Sequence, residues 1–229
     1  MDYVYANRPA GVTALGRALD RRFLDRPTCT AFRDIRALAE QAVVEAIDAH
    51  EGPEPAVIAD LAAGPATYLI GALASRPGVR AVLGDIDRAA LRQASTGAQA
   101  AGVADRVVTT QGSAYDRDRL AALDPRPDIV LELGLYGMFS DDDFIARHFR
   151  DLAEIVAPSQ IVANVQCDNP EIEHIARVWP SRSGGRCVWR LRPVEQILGY
   201  AEAAGYRAAS ITADRHGIYR VMRLVREPR

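Results

Sequence analysis

The sequence predicts an α/β fold: a mostly parallel sheet with helices on its faces and an antiparallel hairpin at the C-terminal end. Three observations carry that expectation. From Ala56 onward, short apolar runs alternate with stretches of helical periodicity. The first run, Val57-Ile58-Ala59, ends in Asp60 and passes through Ala62, Ala63 and Gly64 into a helical pattern at Pro65. The tail then breaks the alternation, because Ala208–Ala213 and Ile218–Val225 flank the turn Asp214–Gly217.

Before the sheet, Thr13–Phe23 and Phe32–Ala49 carry apolar residues at helical spacing, among them Ile35, Leu38, Ala42 and Val43. Glu51-Gly52-Pro53-Glu54-Pro55 is a break. Strands are expected at Val57–Leu61, Val79–Leu83, Val107–Thr110, Asp128–Leu133 and Gln160–Gln166. Helices are expected to start near Ala66, Asp87, Asp116 and Ser140. Asp87 and Ser140 read as N-caps, with Asp141, Asp142 and Asp143 in a first turn that the helix dipole favours. A last helix follows Arg192-Pro193 and runs to about Ala204. The expected division is an N-terminal helical lid over residues 1–55 and a ligand-binding domain over 56–229.

Composition excludes several classes. The chain has 229 residues, enough for one substantial core, and a net charge of −2. All 28 basic residues are Arg and form no basic run, which argues against a nucleic-acid partner. Cys29, Cys167 and Cys187 are odd in number and unclustered, as in a reduced cytoplasmic protein. No apolar stretch reaches the roughly 20 residues of a membrane span, and the N-terminus lacks a signal-peptide core. The four His residues have no metal-ligand spacing, so no metal is expected. His148 and His174 read as surface or packing residues.

The chemistry sits where strands end. In parallel α/β sheets ligands bind at the carboxyl ends of the strands. Asp85 ends the second strand 21 positions beyond Gly64, where an acid can accept bonds from ribose hydroxyls. Gly64 is the turn's only glycine, with Pro65 and Ala66 behind it. A pyrophosphate needs close backbone approach over several residues, so a nucleoside without phosphates fits better. Asp60 either orients the turn and meets the ligand or simply caps the strand.

These residues resemble the first motif of class I S-adenosylmethionine (SAM) methyltransferases, matched by Asp60, Ala62 and Gly64. The blocks Thr109–Val130, Gly134–Ala153 and Pro170–Trp179 are similar to a bacterial group of such proteins, and the resemblance covers roughly Ala56 to Val225. It implies a Rossmann-like class I methyltransferase sheet and SAM as the cofactor. It implies that Asp85 holds the ribose, with Ile86, Ser113, Ala114 and Leu133 also at the cofactor. Relatives tend to carry Asp at the Ser113 position, and glycine-Arg at Ala66-Thr67. Without that Arg, either another group anchors the methionine carboxylate, with Arg8, Arg17 and Arg21 as candidates, or this end of the cofactor is held in a different pose.

Tyr136 follows the fourth strand, and its ring either faces a sulfonium or packs on the next helix. Asn164 and Gln166 end the fifth strand and either grip an amine or carboxylate or are structural. The catalytic candidates are therefore Tyr136, Asn164 and Gln166. The leading expectation is methyl transfer to a small molecule, with no nucleic-acid or membrane partner. The first alternative is azetidine-2-carboxylate synthesis, in which SAM cyclises on itself and releases 5′-methylthioadenosine. The second is a non-catalytic SAM-binding protein.

Overall fold

Val57–Asp60, wholly buried and apolar up to its last residue, forms β1, an interior strand of a seven-stranded sheet. The computed structural model describes residues 2–139, 141–178, 186 and 188–228. Around β1 lie β2 (Arg80–Asp85), β3 (Val107–Gln111), β4 (Ile129–Glu132), β5 (Gln160–Gln166), β6 (Tyr206–Ala213) and β7 (Tyr219–Arg226), in the order β3-β2-β1-β4-β5-β7-β6. The first five strands are parallel, so their carboxyl ends share one edge. β7 runs antiparallel to both β5 and β6, as the hairpin pattern predicts. Its register sets Gln166 beside Tyr219 at that same edge.

Strand residues alternate between two packed faces. Ile58, Leu131 and Val162 face α3 (Pro27–Asp48), α4 (Thr67–Ser75) and α5 (Arg88–Ala100). Ala59, Val130 and Ile161 face the other side, with α6 (Arg117–Ala121), α7 (Asp142–Asp151) and α9 (Val194–Ala203). A buried Ile or Leu in such a layer contributes roughly 1.5–3 kcal/mol. Two short helices, α1 (Asp2–Ala6) and α2 (Ala14–Leu24), precede α3, and α8 (Ile172–Val178) follows β5.

The structure revises two expectations. Helix α3 starts at Pro27, five residues before the expected Phe32, because proline suits the first helical turn, where its missing N–H costs no bond. Its residues Ala31, Ile35, Val43 and Ala46 sit in the main core. Helices α1 and α2 pack against α3. The cap of α7 also shifts by one. Asp141 accepts the N–H groups of Asp143 and Phe144, whereas Ser140 lies outside the described residues, as do Cys187 and Trp179. No helix among the described residues is long and apolar enough to cross a membrane.

Candidate active site

The turn after β1 is held tightly from both sides. Ala63 N–H bonds to Gly84 O at 2.9 Å, and Ala66 N–H bonds back to Ala63 O at 2.9 Å. Gly64 has a φ of 54°, where a side chain is disfavoured, and Ala66 adopts nearly the same conformation at 50°. A non-glycine residue there costs of order 1–3 kcal/mol and persists only where its surroundings fix it. The buried methyl of Ala66 and the start of α4 supply that constraint.

Both acids at this edge are tied to backbone. Asp85 accepts from Gly64 N–H through Oδ2 at 2.8 Å and from Asp87 N–H through Oδ1 at 2.8 Å. Asp87 caps α5 by accepting from Ala89 N–H, as the sequence suggests. Asp60 is fully buried and accepts from Ala62 N–H and from the Tyr68 hydroxyl. Burial pushes its carboxyl up to about 7 against the pull of those two bonds. It therefore shapes the turn from beneath.

A cavity of about 600 Å³ opens beside this turn. Its floor is Ala62, Ala63, Pro65, Ala66, Thr67 and Tyr68. The ends of β4 and β5 supply Leu133, Gly134, Asn164 and Gln166, with Gly137 and Met138 beyond them. Tyr5 and Ala6 of α1 and Phe32, Ile35, Arg36 and Ala39 of α3 form the opposite wall, and Trp189 and Tyr219 complete it.

Buried Arg192 fixes much of this wall. Its guanidinium donates to Tyr136 O at 2.7 Å, Phe139 O at 2.6 Å and Asp142 Oδ1 at 2.7 Å. That ion pair holds the Asp142 carboxyl below the usual range. The Arg192 N–H bonds to Gln166 O at 3.0 Å, and Arg190 N–H bonds to Gly137 O at 2.9 Å. The segment carrying Trp189 is thereby pinned to both β5 and the loop after β4.

The expected site residues divide among three places. Ala62, Leu133, Asn164 and Gln166 line the cavity. Gly64 shapes its floor through the turn. Asp85, Ile86, Ser113 and Ala114 lie outside it, at the ends of β2 and β3; Ile86 is 67% exposed, and the β3 end is tied to β2 by Gly112 N–H on Asp85 O at 2.9 Å. Tyr136 does not line the cavity. Its side chain is 0% exposed and packs on Phe149 with centroids 5.4 Å apart and ring planes tilted by 34°, on the far face of the sheet edge. The short 3₁₀ turn Tyr136–Met138 turns Tyr136 inward while Gly137 and Met138 face the cavity. Its ring is therefore not on the wall where a sulfonium could meet it.

Sequence reasoning missed two groups. Arg36 is the cation on the cavity wall, whereas Arg8, Arg17 and Arg21 do not line it. Arg36 lies over the Tyr5 ring at 5.3 Å and forms no ion pair among the described residues. The second is a buried pair, His148 Nε2 and Glu132 Oε1, 3.1 Å apart behind β4. His148 is thus a packing residue with an acidic neighbour 16 positions away in sequence, which no local pattern reveals. Among the described residues no cluster could hold a metal ion.

The comparisons agree with this architecture. The "Uncharacterized protein YnbC" of Escherichia coli (strain K12) is 30% identical over 99% of this chain, which spans only 39% of that relative's length. A possible exported protein from Bordetella parapertussis superposes with a TM-score of 0.78 at 21% identity, over 99% of this chain and 78% of that one. The magnesium protoporphyrin IX methyltransferase from Synechocystis PCC 6803, solved with bound SAH, superposes with a TM-score of 0.66 at 16% identity, over 93% and 95%. The fold is that of the class I methyltransferases. A family model described as "Putative methyltransferase" matches residues 1–226, and the chain belongs to that family.

Proposed function

We propose that this chain is a SAM-dependent methyltransferase whose acceptor is a small molecule bound in the cavity between α3 and the ends of β4 and β5. The observation that carries this reading is the cavity itself. Its volume of about 600 Å³ lies well inside the range of small-molecule sites, and it runs from the β1 turn to Asn164 and Gln166. That is room for the methionine end of the cofactor and a second molecule.

The residues fit the cofactor. Each Asp85 oxygen accepts one backbone N–H, which fixes the carboxylate and leaves lone pairs for two ribose hydroxyls. Ile86 gives the nucleoside an exposed apolar surface, and Ser113 and Ala114 stand where the adenine would lie. The turn Ala62–Gly64 has no large side chain to hold the methionine chain away. Arg36 is the group that would take the methionine carboxylate, in the role left open by Thr67. Bound SAM supplies a methyl group already activated by its sulfonium. The protein then has to align the acceptor and exclude water, a task suited to an apolar wall closed by α1 and α3.

Cyclisation of SAM on itself would need no acceptor space and would need a base for its ammonium group. Among the described lining residues there is no Asp, Glu, His or Lys. Both points favour transfer. The experiment is to incubate purified protein with SAM, with and without added acceptors, and identify the nucleoside product by mass spectrometry. Methyl transfer gives S-adenosylhomocysteine (SAH) only when an acceptor is present. Methylthioadenosine from SAM alone would overturn the reading.

A further inference from the structure

The cavity wall is built for an acid, not for removing a proton. An arginine guanidinium has donors and no acceptor, so Arg36 offers no base. Tyr68 donates its hydroxyl to Asp60, and burial together with the Asp60 charge raises that phenol well above its ordinary range. It is a donor, and it screens Asp60 from the cavity. The remaining phenols on the wall, Tyr5 and Tyr219, belong to a class that holds its proton at neutral pH. With the acids, His and Lys absent from the described lining, nothing there can serve as a general base.

Donors, by contrast, are in surplus. Gln166 is only 4% exposed, it lines the cavity, and its Nε2 has no hydrogen-bond partner among the described residues. A buried donor without a partner is costly, and a bound acceptor atom would recover that cost. Asn164 is likewise buried on the wall, and its Oδ1 already accepts Gly134 N–H at 2.7 Å, so its amide nitrogen is the end left to a ligand. Beside these amides stands an aromatic corner. Phe32 meets Trp189 edge-on at 5.7 Å and Tyr219 at 5.8 Å.

We propose that the acceptor is a carboxylic acid on a planar apolar body, and that the methyl group goes to a carboxylate oxygen held by the Gln166 amide. This rests on the methyl-transfer reading above and names its substrate class. A carboxylate arrives already ionised, so no base is required. An oxygen lone pair forms the new C–O bond, the methyl C–S bond breaks, and its electron pair goes to sulfur. The products are a methyl ester and the neutral thioether SAH, and no proton moves. A phenol, an alcohol or a thiol would have to lose a proton to a base the wall does not offer. An amine would enter as a cation and meet Arg36 and a set of donors.

The test uses SAM-loaded full-length protein with naphthoic acid and, as matched acceptors, naphthol, naphthalenemethanol and naphthalenemethylamine. The expected product is methyl naphthoate, with none from the other three. The acid should bind the SAH complex roughly tenfold or more tightly than naphthalenemethanol. Gln166→Leu should weaken the acid roughly 10- to 100-fold while the affinity for SAM stays unchanged. Methylation of the phenol, alcohol or amine, or acid binding no tighter than that of naphthalenemethanol, would overturn the acceptor assignment alone. Failure of the wild type to bind SAM would overturn the underlying reading as well.

Discussion

Asp85, the last residue of β2, accepts a hydrogen bond from the backbone N–H of Gly64 at 2.8 Å. One carboxylate thus ties together the two signatures that stand 21 residues apart in the sequence. The turn that would carry the methionine chain is registered directly against the acid that would carry the ribose. Because the same carboxylate also accepts Asp87 N–H at 2.8 Å, its position is fixed before any ligand arrives.

Replacing Asp85 should therefore be costly for binding. Asp85→Ala removes charge-assisted bonds worth roughly 1.5–3 kcal/mol, so SAM affinity should fall on the order of 10- to 100-fold. The fold should survive, since β2 remains paired on both sides. Calorimetric titration of both proteins with SAM checks this.

Arg36 should act on one end of the cofactor only. Arg36→Met should weaken SAM roughly 10- to 100-fold by removing a charge-assisted pair. Decarboxylated SAM, which lacks the partner group, should bind the variant and the wild type alike. Equal losses for the two ligands would show that Arg36 supports the wall and not the carboxylate.

Asp60 should make stability depend on pH. Burial first, helped by the charges of Glu132 and Asp85, raises its folded carboxyl to about 7 from an ordinary value of 3.8. The folded chain thus holds this proton more tightly than the unfolded chain. The benefit is complete below the ordinary carboxylate value and is lost as pH rises through about 7. Asp60→Asn is neutral throughout, so its stability relative to wild type should rise across that window, by at most about 4 kcal/mol. Thermal midpoints of both proteins at about pH 5 and about pH 8 measure the difference.

Tyr136 should matter for packing. Its hydroxyl is buried without a partner among the described residues, so Tyr136→Phe should leave stability equal or higher and the turnover of bound SAM unchanged. Tyr136→Ala leaves a cavity and should cost about 3–5 kcal/mol. A slowed single turnover in the Phe variant, with a normal thermal midpoint, would return Tyr136 to the reaction.

The strands were legible because each central strand is buried on both faces and reads as an unbroken apolar run, as in Val57–Ala59 and Ile129–Leu131. Asn164 and Gln166 were legible for the converse reason: two amides closing such a run demand a purpose. Tyr136 was misplaced because a one-turn 3₁₀ segment has no periodicity from which its inward residue can be read. Arg36 was missed because it lies on a helix of ordinary amphipathic pattern. Only the packing of α3 against α4 and β7 aims that helix's residues 32, 35, 36 and 39 into the site. The aromatic corner joins residues from α3, β7 and the segment before α9, far apart in sequence, so no motif announces it.

The most direct test is a crystal structure of the protein with SAH. The account predicts both ribose hydroxyls on Asp85, the carboxylate on Arg36, and the sulfur directed toward Asn164 and Gln166. SAH bound elsewhere, or at this edge with its ribose away from Asp85, would contradict it.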